Sequence, residues 1–292
     1  MKASPVIDTL ARVGLAGTCA YLLVGGLMYR FQEKLLFPGP RGEVPGLGKR
    51  PGFELLDLKT DDGCTLRGAL RKAEVEGPQK LLIFFGGNAE RAPAWLAHPR
   101  WPQDWSVAAI DYRGYGQSEG EPSEAALFAD ALHIHDRLVQ RLELDPSRIV
   151  VVGRSLGSGV ATYLASQREV AGVVLVTPYD SITEVAASVY PWLPVRYLLR
   201  HAFDSWRRAH AIRTPALFVT AGRDTLIRVH HTERLLAAWG GPAQRFDIPA
   251  ANHADVMLHE AYWDELHRFI AQLASGRLPG PGAPDLPQPE AA

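Results

Sequence analysis

The chain has 292 residues, of which 47% are hydrophobic and 22% charged, so it can bury a sizeable core, and an α/β domain of this length commonly forms one unit. Its formal net charge is −1, which provides no overall basic field for attracting nucleic acid or an anionic membrane surface. Its two cysteines, Cys19 and Cys64, suggest neither a disulfide framework nor a zinc cluster. We therefore expect no nucleic-acid partner, no metal and no cofactor.

An uncharged apolar segment, residues 13–29, lies between Arg12 and Arg30. With Leu10 and Ala11 it approaches the ~20 residues that cross a bilayer. The segment predicts a single-pass membrane anchor within residues 1–31, and basic residues on both sides leave its orientation open. Two alternatives remain. A cleaved signal peptide is disfavoured because no Ala-x-Ala site follows the apolar run, and the third interpretation is a helix docked on the domain.

A Pro- and Gly-rich connector at residues 32–52 separates the apolar segment from a region in which apolar runs are short. Two runs joined across Asp62-Gly63 predict antiparallel strands at one edge of a sheet. Apolar runs that alternate with helical segments then predict a mostly parallel central sheet flanked by helices, an α/β fold. The predicted strands are residues 53–59, 65–71, 81–85, 107–110, 149–152, 173–176, 216–219 and 244–248. The clearest helix begins at Ser123, and another runs from about residue 255 to residue 273.

The predicted catalytic domain spans residues 53–275, and the Pro-rich tail at residues 276–292 is predicted to be disordered. Between two of the strands, residues of about 178–213 predict a small helical cap, because the segment is too long for a plain connector. Its aromatic side chains either line an apolar acyl pocket or pack the cap onto the body.

The stretch around Ser155 is the most informative part of the sequence. A β-branched run ends at Gly153, Ser155 follows, and Gly157 opens a helix-compatible segment. This Gly-x-Ser-x-Gly pattern is typical of a strained turn that presents a nucleophilic serine. The amide of Leu156 at the new helix N-terminus can donate to an oxyanion.

A serine nucleophile needs a base, and the base needs an acid to orient it. Candidates follow the carboxyl ends of later strands, where catalytic groups of open α/β sheets gather. Asp224 follows the strand at 216–219, and His253 follows the strand at 244–248. The resulting order of Ser155, Asp224 and His253 is that of hydrolases whose serine sits on such a turn. Asp180 is the alternative acid.

A second oxyanion donor is expected in the loop after an earlier strand. Gly86-Gly87-Asn88 ends a buried strand, and its glycines let backbone amides approach a substrate. We assign this donor to the amide of Asn88, with Gly87 as the alternative.

Together with the loop Asp111-Tyr112-Arg113-Gly114-Tyr115-Gly116, these motifs resemble the α/β-hydrolase superfamily over residues of about 53–273. With the N-terminal apolar helix, the resemblance is to membrane-anchored abhydrolase-domain serine hydrolases, relatives of the serine aminopeptidase-like group. It implies a catalytic Ser155, Asp224 and His253, and an oxyanion hole at Asn88 and Leu156. Many members have His-Gly before the Asn, whereas this chain has Gly86-Gly87.

The predicted function is a serine hydrolase that cleaves an ester, thioester or amide of a small-molecule or lipid-like acyl substrate. A carboxylesterase or thioesterase is favoured over an aminopeptidase-like amidase. A non-catalytic, membrane-tethered binding module of the same fold is the other alternative. The glycine spacing after Gly153 also resembles short-chain dehydrogenases, but no lysine follows Lys80 to complete their Tyr-Lys pair. The oligomeric state is left open.

Overall fold

The computed structural model describes residues 5–75 and 77–276. The tail predicted to be disordered lies outside this range from residue 277 onward. The strands are β1 (Phe53–Lys59), β2 (Thr65–Arg71), β3 (Leu81–Phe85), β4 (Ser106–Ile110), β5 (Ile149–Arg154), β6 (Gly172–Val176), β7 (Ala216–Ala221) and β8 (Ala243–Ile248). The helices are α1 (Pro5–Leu36), α2 (Glu124–Leu142), α3 (Leu156–Gln167), α4 (Ile182–Val189), α5 (Val195–Leu198), α6 (Ser205–Ala209), α7 (Val229–Ala238) and α8 (Glu260–Ser275).

All eight described strands form one sheet in the order β1-β2-β4-β3-β5-β6-β7-β8. β1 pairs with β2, and β2 with β4, in antiparallel register. Every other neighbouring pair is parallel. The prediction of an α/β fold with a mostly parallel sheet and an antiparallel edge is confirmed.

The sheet is covered on both faces, which is why its central strands read as continuous apolar runs. Ile83 and Val151 face one core, which includes apolar side chains of α2 and α3. Leu82 and Val150 face the opposite core, which includes side chains of α8. The parallel strands therefore present their carboxyl ends at one protected edge, where the candidate site lies.

Helix α1 is long, apolar and exposed. Its segment Arg12–Leu36 has the length and composition of a membrane span, and none of the most apolar window is buried against the protein. The helix continues past residue 31, the predicted end of the anchor, to Leu36. It ends there because Pro38 follows: proline disfavours helical backbone in the residue before it and cannot itself donate within the helix.

The excursion between β6 and β7 forms three short helices, α4, α5 and α6, that lie over the carboxyl edge of the sheet. Ser181 begins α4 because its hydroxyl oxygen accepts the amide of Glu184 at 3.1 Å. This is half of a capping box. The last helix begins at Glu260 rather than near residue 255, because the Asp255 carboxylate accepts the Asn252 amide at 2.7 Å and holds a turn instead.

Candidate active site

Ser155 lies at the turn between β5 and α3 with φ 49° and ψ −117°, a conformation that L-residues rarely adopt. Two glycines make this turn possible. A Cβ on Gly153 would meet the Gly157 carbonyl oxygen at 2.3 Å, and a Cβ on Gly157 would meet the Phe85 carbonyl oxygen at 2.2 Å. The helix therefore approaches the sheet closely enough to hold the serine at the tip of the turn.

The structure brings the three predicted site residues into sequential contact. His253 Nε2 lies 2.9 Å from Ser155 Oγ, and His253 Nδ1 lies 2.7 Å from Asp224 Oδ2. The other carboxylate oxygen of Asp224 accepts the amides of Leu226 and Ile227 at 2.9 and 2.8 Å. Both acid oxygens are thus occupied, which fixes the carboxylate and, through its contact with Nδ1, the orientation of the imidazole ring.

Asp180, the alternative acid, makes a different set of contacts. One oxygen lies 2.8 Å from Nδ1 of the buried His231, and the other accepts Arg234 at 3.1 Å. His231 Nε2 lies 3.5 Å from the hydroxyl of Ser188, which donates to the Val185 carbonyl. This second serine, histidine and aspartate set joins α4 to α7, and it is separate from Ser155.

The candidate oxyanion loop, Gly86-Gly87-Asn88, is held by hydrogen bonds to neighbouring residues. The Gly87 amide donates to Glu90 Oε2 at 2.5 Å. Among the described residues no acceptor engages the amides of Asn88 or Leu156, and both residues line the same cavity as Ser155. Gly87 is therefore occupied, whereas the two amides that the sequence favoured are available to a substrate.

The side chain of Asn88 is held by the loop that follows β4. Tyr115 donates its hydroxyl to Asn88 Oδ1 at 2.9 Å, and Tyr112 donates its hydroxyl to the Gly86 carbonyl at 2.8 Å. Burial raises the pKa of Tyr115, so its hydroxyl stays neutral and donates. The Asp111-to-Gly116 loop supports the site without reaching the reacting atoms.

Sequence reasoning missed the role of Arg154, the residue between Gly153 and the nucleophile. Its buried guanidinium pairs with Glu90 and donates to the carbonyls of His253 and Ala254 at 2.8 and 3.1 Å. Burial lowers the pKa of Arg154. Its position inside the Gly-x-Ser-x-Gly motif could have indicated this role. A cation at that position lies beside both the candidate oxyanion loop and the loop that carries His253, which we call the histidine loop.

A cavity of about 280 Å³ opens at Ser155. This is near the lower end of the roughly 300–1,000 Å³ of small-molecule sites. Its lining combines the site residues, cap residues such as Val185 and Tyr190, and residues of α1, and none of the described lining side chains is charged. The two interpretations of the cap aromatics both apply: Tyr190 lines the cavity, whereas Phe203 is buried in the core beside Phe128.

Within the described ranges, no group of three or more His, Cys, Asp or Glu side chains is arranged to hold a metal ion. The site offers instead an alcohol, an imidazole, a carboxylate and two free amides. That set suits acyl transfer.

Comparisons with known proteins agree with this fold. The family model of the α/β hydrolase fold matches residues 80–209. An uncharacterized protein of Mycobacterium tuberculosis is 33% identical over 278 residues, which cover 94% of this chain and 96% of that protein. An uncharacterized membrane protein of Saccharomyces cerevisiae is 32% identical, with 90% of this chain and 97% of that protein covered.

The solved structure of the Pyrococcus furiosus esterase Pf2001 superposes with a TM-score of 0.63 at 19% identity, covering 80% of this chain and 98% of that one. At this identity the likeness establishes the fold alone. An eight-stranded sheet with a serine on a strand-to-helix turn defines the class of α/β hydrolases. The chain belongs to the α/β-hydrolase superfamily, within its abhydrolase-domain group.

Proposed function

We propose that the protein is a serine hydrolase that cleaves acyl esters or thioesters through Ser155, His253 and Asp224. The single observation that carries this proposal is the unbroken chain of contacts from the Ser155 hydroxyl through the imidazole to the Asp224 carboxylate, at 2.9 and 2.7 Å. The hydrolase fold of the chain supports it.

The reaction proceeds in two halves. Ser155 Oγ attacks the acyl carbonyl and passes its proton to His253 Nε2, while Asp224 stabilises the imidazolium. The amides of Asn88 and Leu156 receive the oxyanion of the tetrahedral intermediate. His253 then protonates the leaving alcohol or thiol, and an acyl-serine remains. In the second half, water gives a proton to His253 and attacks the acyl carbon. His253 then passes that proton to Ser155 Oγ as the serine leaves.

The cavity favours an ester or thioester over an aminopeptidase substrate. A peptide with a free amino terminus carries a positive charge near the scissile bond, and its recognition calls for an acidic partner, because a buried unpaired charge is costly. The described lining of the cavity offers uncharged groups, among them Gln32, Asn88 and Tyr179.

The same proposal places the enzyme in a membrane through α1 as a single-pass anchor. Support comes from the exposed apolar surface of α1 and from the yeast relative, whose name describes a membrane protein. An exposed helix of this composition in water would cost the free energy of hydrating its apolar surface, and a bilayer removes that cost.

The test uses the full chain in detergent. Ser155→Ala is expected to abolish hydrolysis of p-nitrophenyl acyl esters and covalent labelling by a fluorophosphonate. Ser188→Ala is the matched control, because Ser188 also faces a histidine that contacts an aspartate, and it is expected to retain both. Turnover or labelling that persists in Ser155→Ala would overturn the assignment. A wild-type chain without any turnover would favour a binding module of the same fold.

A further inference from the structure

We propose that α1 is a wall of the substrate site as well as an anchor, and that the enzyme takes a long-chain acyl ester directly from the bilayer. The inference rests on the proposed serine hydrolase function and adds the substrate class to it. It starts from the fact that the cavity at Ser155 is lined along one side by the carboxyl-terminal turns of α1.

In the described segment 12–36, one face of α1 packs against the protein. Between residues 12 and 36 the covered residues are Gly25, Met28, Gln32 and Leu36, and all the other described side chains in this segment are exposed. Spacings of three and four residues place these four on one face of the helix. We call this face the cap stripe. Its lower part, Met28, Gln32 and Leu36, lines the cavity.

Contacts along the cap stripe join α1 to the cap over several turns. The hydroxyl of Tyr21 donates to the Trp192 carbonyl at 3.1 Å, and the two rings meet edge to face at 6.2 Å. Farther along, Leu193 packs toward Gly25. Tyr21 and Gly25 belong to the uncharged part of α1, so the cap reaches a depth that the apolar segment would place inside the bilayer.

A polar contact fixes the lower end of the same face. The buried Gln32 side chain donates to the Leu198 carbonyl at 3.2 Å and accepts the Arg200 amide at 2.8 Å. The Arg200 guanidinium also lies over the Tyr29 ring, 4.5 Å from its centroid. The Gln32 amide thus satisfies both a donor and an acceptor of the cap backbone. These two hydrogen bonds fix the position of the cap along α1.

The cavity therefore runs from the reacting atoms to an apolar, exposed mouth. Ser155 and Leu156 are buried at its inner end. Five lining residues are exposed and none is charged: Tyr29, Leu35, Val189, Tyr190 and Leu226. From Leu36 to Met28 the α1 wall is roughly 12 Å long at 1.5 Å per residue, so the part of an acyl chain nearest Ser155 can lie along it.

The surroundings of the mouth favour a membrane source over a water-borne one. Trp192 is exposed on the cap and packs against Tyr21, within the apolar segment of α1. A cap surface at this depth would contact lipid rather than water. An acyl chain can thus pass from the bilayer to the cavity along apolar surface, without crossing water.

The first experiment compares chain lengths with the full chain in phosphatidylcholine vesicles. Met28→Trp fills the cavity wall, and Leu27→Trp is the control because Leu27 is exposed at the same depth outside the cavity. Each buried methylene adds roughly fourfold in affinity, so the wild type should prefer long p-nitrophenyl esters. In Met28→Trp the ratio of kcat/KM for the palmitate to that for the butyrate ester should fall at least tenfold. Leu27→Trp should keep the wild-type ratio.

A second measurement remains informative if Met28→Trp fails to fold. A fluorophosphonate with a dodecyl tail that ends in a diazirine is attached to Ser155 of the wild-type chain and then photolysed. The cross-link is expected on α1 between residues 28 and 36, or on the facing cap. Labelled Ser155 with cross-links confined to other elements would overturn the inference and leave the hydrolase proposal intact. Absence of Ser155 labelling would instead reject the hydrolase proposal.

The membrane source is tested with a fluorogenic long-chain acyl glycerol ester placed in the vesicles that hold the enzyme. The rate should follow the mole fraction of the ester in that membrane at constant bulk concentration. A rate that follows bulk concentration alone, or equals the rate for ester supplied in albumin complex, would contradict delivery from the bilayer.

Discussion

The guanidinium of Arg154 forms a largely buried ion pair with the carboxylate of Glu90 directly beside Ser155. The second oxygen of Glu90 accepts the Gly87 amide, and Arg154 also donates to the His253 carbonyl. One pair of charges therefore joins the oxyanion loop to the histidine loop. We interpret Arg154 as a positioning residue, since it contacts the backbone of both loops and none of the reacting atoms.

Arg154→Lys is expected to lower kcat about tenfold with KM within about twofold. Lysine cannot reproduce the planar fork that serves Glu90 and two carbonyls at once, whereas the cavity walls stay in place. Steady-state kinetics with p-nitrophenyl butyrate measures both constants. Arg168→Lys is the control, because Arg168 pairs with Asp136 at the surface. A change confined to KM would contradict the positioning role.

Asp224→Asn is expected to lower kcat by about 10³–10⁴, because an amide no longer selects the imidazole tautomer that can accept the serine proton. Asp180→Asn should leave kcat within about threefold and lower the thermal unfolding midpoint instead, since Asp180 is the buried partner of His231. Activity assays and thermal scans of both variants separate the two roles. A larger loss of kcat in Asp180→Asn than in Asp224→Asn would reverse the assignment of the acid.

Tyr115→Phe should lower kcat about fivefold. The change removes the hydrogen bond to Asn88 Oδ1, worth about 1 kcal/mol, and loosens the loop that presents the Asn88 amide. Rates of fluorophosphonate labelling should fall in parallel, since in the proposed mechanism the same amide would receive the phosphoryl oxygen. An unchanged labelling rate would show that the loop keeps its geometry without Tyr115.

Gly157→Ala should destabilise the fold by about 3 kcal/mol, the upper end of ordinary overpacking, because the added methyl meets backbone atoms that cannot move independently. Gly26→Ala is the matched control. It also lies within a helix, has open space around the new methyl, and should be neutral or slightly stabilising. Thermal unfolding in detergent compares the two. Equal midpoints would show that the turn at Ser155 tolerates a wider helix separation.

The ion pair of Asp136 with Arg168 should make the free energy of unfolding depend modestly on pH. Its hydrogen bonds to Arg168 and then to His135 lower the pKa of Asp136 to about 2. A lowered carboxyl pKa contributes stability above the ordinary value near 4 and loses it as pH falls toward 2. Because the side chain is about half exposed, the contribution is under about 1 kcal/mol. The difference in unfolding midpoint between wild type and Asp136→Asn should shrink from pH 6 to pH 3. A constant difference would exclude this linkage.

The fold was accessible from the sequence because its signals are local. Buried parallel strands require unbroken apolar runs, and the eight predicted runs match the eight strands to within two residues at either end. The turn at Ser155 requires glycine at 153 and 157 for steric reasons that hold wherever the turn is placed. Ser155, Asp224 and His253 could be chosen as candidates because each follows the carboxyl end of a parallel strand, and those ends meet at one edge of the sheet.

Other features depended on contacts between distant segments, which no local pattern encodes. Whether Asn88 or Gly87 faces the cavity was decided by Glu90, whose carboxylate occupies the Gly87 amide. The sequence likewise showed that α1 has an apolar segment but not which face it turns toward the cap, because residues 13–29 are uncharged around the whole helix. Sequence by itself thus determined the elements and the candidate nucleophile, acid and base, through backbone sterics and hydrophobic burial. Tertiary packing alone decided which amides are free and that the apolar helix forms a wall of the cavity. Both depend on contacts that form only in the folded protein: the Glu90 carboxylate on the Gly87 amide, and the cap on one face of α1.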